Sequence, residues 1–123
     1  MAEVTIYHNV HCNSSMNAVN IASELGVDFD TVLYLKTPPD EATLRGIIAK
    51  LEDPVTDLVR RDSLWTKLGL TDADVETEDQ VVAVLLKHKQ LLQRPVLVTK
   101  EKAIIGRPKD RVRQLLGGGF GGA

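Results

Sequence analysis

The chain keeps one thiol, Cys12, in the stretch TIYHNVHCNSSMN, between an apolar run and a cluster of Asn and Ser. The thiolate is the nucleophilic form, and an ordinary cysteine, with a pKa of about 8.5, is only a few per cent ionised at neutral pH. The neighbouring residue types can change that. His8 lies just upstream and Ser14 and Ser15 follow directly; a protonated imidazole or a donated hydrogen bond would favour the charged sulfur. A free cysteine is more often a small buried apolar residue, but His11, Asn13, Ser14 and Ser15 are poor company for the core. A single cysteine cannot close an internal disulfide, so redox chemistry at Cys12 must recruit a thiol from another molecule. It also rules out the clustered Cys and His spacing of a zinc site, and His11 and His88 read as ordinary surface residues, so no metal is expected.

These residues need elements to position them. Val4-Thr5-Ile6-Tyr7 is short, β-branched and aromatic, the pattern of a strand, and a loop runs from His8 to Cys12. From Asn13 or Ser14, either a good N-cap, apolar residues at Ala18, Ile21, Ala22 and Leu25 recur at helical spacing until Gly26. Cys12 therefore falls at a helix N-terminus, where unpaired N–H groups and about half a positive charge favour a thiolate and an adjacent oxyanion. Thr31–Leu35 reads as a second strand and Thr37-Pro38-Pro39-Asp40 as a break before a helix with Leu44, Ile47, Ile48 and Leu51 on one face. Short helical pieces follow from Asp53 to Val59 and from Ser63 to Leu68. A capping box, Thr77-Glu78-Asp79-Gln80, then opens a helix with Val81, Val82, Leu85 and Leu86 as its apolar face. Pro95–Thr99 and Ala103–Ile105 flank the charged turn Lys100–Lys102 as a β-hairpin, and a last helix runs from about Pro108 to Leu116. The order βαβ, helical insert, ββα predicts an α/β, thioredoxin-like mixed sheet with a helical insertion between its two halves. Residues 1–116 are expected to form one domain, and the glycine-rich residues 117–123 a flexible tail.

Composition narrows the functions. Of 123 residues, 43% are hydrophobic and 26% charged, an ordinary globular balance. The net charge of −2 gives no bulk attraction to nucleic acid or an anionic membrane. With no secretory h-region and no apolar run approaching the roughly 20 residues that span a bilayer, a cytoplasmic location is expected.

The chain carries TIYHN at 5–9, Cys12-x-x-Ser15, Leu33-Tyr34-Leu35 before Pro38-Pro39, Leu58-Val59-Arg60-Arg61, Leu68-Gly69-Leu70, RPVLVT at 94–99 and Gly106-Arg107-Pro108. Together these motifs resemble the glutaredoxin-coupled arsenate reductase family, ArsC. They occur in the family's order over about residues 3–116. The resemblance implies that Cys12 is the catalytic nucleophile, that Arg60, Arg94 and Arg107 bind the oxyanion and share in catalysis, and that His8 and Ser15 lower the thiol pKa. It also implies a cis peptide before Pro95. The ligand chemistry suits the residue type, since a guanidinium is a planar fork of donors that stays charged and matches an oxyanion. Met16, where the family commonly has Arg, and Asn13, where a small residue is usual, depart from the pattern; Met16 is read as a flexible filler packed in the core.

The implied reaction is reduction of arsenate to arsenite by a monomer with no bound cofactor. Glutathione or another low-molecular-weight thiol would resolve the Cys12 adduct, and glutaredoxin would recycle the cysteine. Two further readings use the same scaffold. One is a glutathione-dependent thiol/disulfide oxidoreductase, for which three arginines would be superfluous. The other is a non-enzymatic regulator of the Spx kind that binds RNA polymerase, in which Ser15 would stand where a second redox cysteine is usual.

Overall fold

Alternation along the central strands decides the layering. The computed structural model describes residues 2–117, and β1 (Val4–His8) lies inside a four-stranded sheet ordered β2-β1-β3-β4, where β2 is Phe29–Leu33, β3 Val96–Val98 and β4 Ala103–Ile105. Successive side chains of a strand point to opposite faces. Val4, Ile6, Leu97 and Ile104 accordingly pack with Ala18, Ile21 and Ala22 of α1 (Asn13–Glu24) and with Val112 and Leu116 of α5 (Asp110–Gly117). Tyr7, Val96, Ala103 and Ile105 face the other way, onto α2 (Glu41–Lys50), α3 (Ser63–Lys67) and α4 (Glu78–Lys87). Each large apolar side chain fully withdrawn from water contributes about 1.5–3 kcal/mol, so these two layers hold the sheet between them.

β1 and β2 are parallel, with Val4 opposite Phe29 and His8 opposite Leu33, whereas β1–β3 and β3–β4 are antiparallel. With the helical segment 41–91 between the β1-α1-β2 and β3-β4-α5 units, this is the thioredoxin-like arrangement. Gly26 and Gly69, at φ of +70° and +71°, take the left-handed conformation that glycine adopts without strain, and they close α1 and α3. The capping box at Thr77 and Gln80 is formed, and Asp40 caps α2 by accepting from the Thr43 N–H.

Several boundaries differ from the sequence expectation. The second strand is Phe29–Leu33 rather than Thr31–Leu35, because the Leu33 carbonyl accepts from the N–H groups of both Lys36 and Thr37 and turns the chain there. β1 extends one residue further, to His8, since pairing with Leu33 continues that far. Leu86 is exposed, because it falls at the edge of the face that Val81, Val82 and Leu85 bury. Short 3₁₀ turns at Asp72–Val75 and Lys89–Leu91 carry no apolar periodicity that would announce them. The last helix begins at Asp110 and includes Gly117; the rest of the expected tail, 118–123, lies outside the described residues.

Candidate active site

The loop after β1 is folded on its own polar groups. The Asn9 carbonyl accepts from the Cys12 N–H at 3.1 Å and the Asn9 side chain accepts from the His11 N–H at 2.9 Å, which brings Cys12 to the N-cap position of α1. The expected cap residues, Asn13 and Ser14, are instead the first residues inside the helix. No conventional cap hydrogen bond closes this end, so the sulfur occupies the place where a capping oxygen would meet the free N–H groups. Cys12 is buried, and that burial pushes its thiol up. The N–H of Ser15, the Arg94 guanidinium, the charge of Arg107 and the N–H of Ser14 outweigh that effect and hold the pKa below its ordinary value. The serines thus act on the sulfur through their backbone.

The hairpin supplies the two arginines. Val96 pairs with Ile105, so Arg94, just before β3, and Arg107, just after β4, emerge at the same end of the sheet. Arg107 donates from Nη2 to Cys12 Sγ at 3.3 Å and from Nε to the Arg94 carbonyl at 2.7 Å. Burial disfavours the charge of Arg94, but its contacts with the Cys12 sulfur and the Tyr34 hydroxyl prevail and hold its pKa up. The Arg94–Pro95 peptide is cis, and so is Arg107–Pro108, which nothing in the sequence singles out. The Gly106 N–H closes the pair by donating to the Pro95 carbonyl at 2.8 Å.

His8 and Ser15 meet at 2.6 Å between Nδ1 and Oγ, and Ser15 Oγ also accepts from the Asn9 N–H at 2.9 Å. Both side chains are buried. Burial lowers the His8 pKa from its ordinary value, which disfavours the charged imidazolium. The two groups share one hydrogen bond, whose direction follows the tautomer of the His8 ring. The pair braces the loop through these contacts.

Arg60 is not on the sulfur. Its Nη1 lies 3.3 Å from the Asp62 carboxylate, while its backbone N–H bonds the Leu91 carbonyl and Val59 bridges Leu92, which lays this segment beside the chain leading to Arg94. Met16 is exposed on α1, one turn from the thiol, and is not the core filler its chemistry suggested, because that face of α1 turns outward.

Supporting residues have no local signature. Asp53 accepts from Arg111 Nη1 at 2.8 Å and from the Ile105 N–H at 3.0 Å, and Arg111 also donates to the carbonyls of Ile105 and Arg107. This clamp holds the backbone that carries Arg107. Tyr34 is fully buried with its hydroxyl beside Arg94, yet neither that hydroxyl nor Arg94 Nε has a well-formed hydrogen bond. Among the described residues, no group of three or more His, Cys, Asp or Glu is placed to hold a metal ion, and no helix is long and apolar enough to cross a membrane.

Comparison with known proteins places this geometry among relatives. The model of the ArsC family matches residues 7–115. The chain is 36% identical over 117 residues to the uncharacterized protein YfgD of Escherichia coli K12, covering 94% of this chain and 98% of the other. It is 35% identical over 117 residues to an arsenate reductase of Escherichia coli, covering 94% and 82%. Among solved structures it resembles a putative arsenate reductase from Yersinia pestis, with a TM-score of 0.79, 34% identity and coverage of 90% and 98%. It also resembles an arsenate reductase from Vibrio cholerae, with a TM-score of 0.81, 28% identity and coverage of 94% and 98%.

Proposed function

The chain belongs to the ArsC family, and from that premise we propose that it is an arsenate reductase in which Cys12 attacks arsenic. The observation that carries the reading is the Arg107 Nη2 to Cys12 Sγ contact of 3.3 Å on a thiol whose pKa is held down at a helix N-terminus. An ionised sulfur beside fixed guanidinium donors is what attack on a tetrahedral oxyanion requires, because the nucleophile and the charge-neutralising groups are preorganised together.

In the first step the Cys12 thiolate forms an S–As bond and one arsenate oxygen leaves as water after protonation. Arg94 and Arg107 hold the remaining oxygens, joined by Arg60 once it leaves Asp62. In the second step a low-molecular-weight thiol such as glutathione attacks the Cys12 sulfur. The S–As bond breaks with its electron pair remaining on arsenic, which departs as arsenite. Arsenic gains two electrons, and each sulfur of the new mixed disulfide supplies one. Glutaredoxin, or an equivalent thiol reductant, then returns Cys12 to the thiol. The positive charge at the sulfur comes from Arg94 and Arg107, and His8 and Ser15 serve by holding the loop. The protein works without a bound cofactor, as a monomer in the cytoplasm.

The test measures alkylation of Cys12 by iodoacetamide against pH, with arsenate or sulfate present, followed by arsenite formation with glutathione and glutaredoxin. A midpoint below the ordinary thiol value, protection by arsenate exceeding that by sulfate, and turnover lost in Cys12→Ser are expected. An ordinary midpoint with no protection and no arsenite would refute the assignment.

A further inference from the structure

Arg60 and Arg61 are adjacent, yet only one is free to answer a ligand. Arg61 is pinned: Nη1 donates to the carbonyls of Thr56 and Val59, both at 2.6 Å, and Nη2 to the Thr56 hydroxyl at 2.6 Å and Asp72 at 3.3 Å. Its guanidinium also lies 4.7 Å from the centroid of the Trp65 ring. Arg60, by contrast, has one polar side-chain partner among the described residues, Asp62 Oδ2 at 3.3 Å.

Asp62 itself cannot follow a departing guanidinium. Its Oδ1 accepts from the N–H groups of Leu64 at 3.1 Å and Trp65 at 3.2 Å, which fixes the carboxylate as the cap of α3. The Arg60 backbone is equally fixed, through its N–H to the Leu91 carbonyl at 2.8 Å. A long side chain on an anchored backbone is therefore held by an anchored carboxylate through one ion pair. Both partners keep partial solvent contact, with side-chain exposures of 24% and 29%, so this pair is the weak kind that a better-matched anion displaces.

Resting on the oxyanion reading of the Cys12 site, we propose that Asp62 is an affinity-setting latch for Arg60. It holds the guanidinium in the ligand-free protein and yields it to a tetrahedral oxyanion at Cys12. Every anion that recruits Arg60 must first outcompete the carboxylate. A multiply charged oxyanion offering two acceptors to the guanidinium fork can do so, and chloride cannot.

The test compares wild type with Asp62→Asn, whose side-chain oxygen still caps α3, and repeats the comparison in an Arg60→Gln background. The reading is the concentration of arsenate, and separately of phosphate, that halves the alkylation rate of Cys12. Asp62→Asn is expected to bind either anion about two- to fivefold more tightly, the range for a partly exposed ion pair. That gain should vanish when Arg60 is Gln. Unchanged or weaker binding overturns the latch, and so does an equal gain without Arg60, which would mean a general field effect of the lost charge. Arsenite formation is followed in parallel. Tighter protection in Asp62→Asn without turnover by the wild type would keep the latch and remove the reductase assignment; turnover with unaltered Asp62→Asn affinity would do the reverse.

Discussion

Gly106 lies where the two arginine-bearing segments touch, and it has no room for a side chain. A β-carbon built there would lie 2.7 Å from Pro95 Cγ, 3.0 Å from Val112 Cγ2 and 3.1 Å from Leu97 Cδ1. None of these is a flexible side-chain end, since proline is a ring and Val112 and Leu97 are fully buried. Gly106→Ala should therefore cost about 1–3 kcal/mol by overpacking. At about 3–5 °C per kcal/mol for a chain of this size, the Tm should fall by about 3–15 °C. Gly46 is the internal control: it is exposed within α2 and a β-carbon there meets nothing within 4 Å. Gly46→Ala should stabilise by about 0.5–1 kcal/mol, because alanine loses less conformational entropy in a helix. The same chemical change is thus expected to move Tm in opposite directions at the two sites. Because Pro95 and Gly106 flank Arg94 and Arg107, Gly106→Ala should also slow Cys12 alkylation near neutral pH, whereas Gly46→Ala should leave it unchanged. Calorimetry and an alkylation time course suffice. A Tm for Gly106→Ala equal to that of the wild type would refute the overpacking, and a lower Tm with unaltered thiol reactivity would show that this contact does not position the arginines.

Arg107→Gln removes the guanidinium from the sulfur, and by analogy with the loss of one preorganised donor should lower arsenate turnover about 10²-fold or more, with the alkylation midpoint moving up. An unmoved midpoint would contradict the contact between Arg107 Nη2 and Cys12 Sγ. Because folding lowers the Cys12 pKa, its contribution to stability is present above the ordinary thiol value and disappears as pH falls through the folded value. Wild type should thus gain stability relative to Cys12→Ser as pH rises from the folded value towards the ordinary thiol value in denaturant titrations, and a flat difference would count against a stabilised thiolate. Tyr34→Phe deletes a buried hydroxyl without a well-formed partner, so it should be neutral or stabilising; a Tm drop of several degrees would mean that the hydroxyl is well bonded after all.

Much of this molecule is legible locally. Apolar periodicity locates the helices, the β-branched runs locate β1, β3 and β4, and Thr77 with Gln80 announces the start of α4. Each of these signals is local, carried by residues a turn apart in a helix or alternating along a strand, and local preferences act before any tertiary contact exists. The position of Cys12 at a helix start belongs to the same class, which is why a reactive thiol can be read from residues 8–15. β2 is displaced from its expected range because its limits are set by pairing with β1 and by the turn at Leu33, neither of which its own β-branched residues encode. Leu86 lies outside the buried face because helical spacing identifies a face but leaves its edges to whatever packs there.

The sequence by itself singled out Cys12 as the candidate nucleophile and the helix that carries it, because residue identity dictates which groups ionise or donate, and its resemblance to ArsC pointed to the candidate arginines. Only the tertiary structure decided which of those groups act on one another. Arg94 and Arg107 reach Cys12 through the antiparallel register of β3 and β4, while Arg60 rests on Asp62. Burial disfavours a charge on His8, which pairs with Ser15, and Asp53 serves Arg107 through Arg111, 58 residues away in the chain. Distance, burial and partner choice between remote segments exist only once the chain has closed, and they turn a list of reactive residue types into a site.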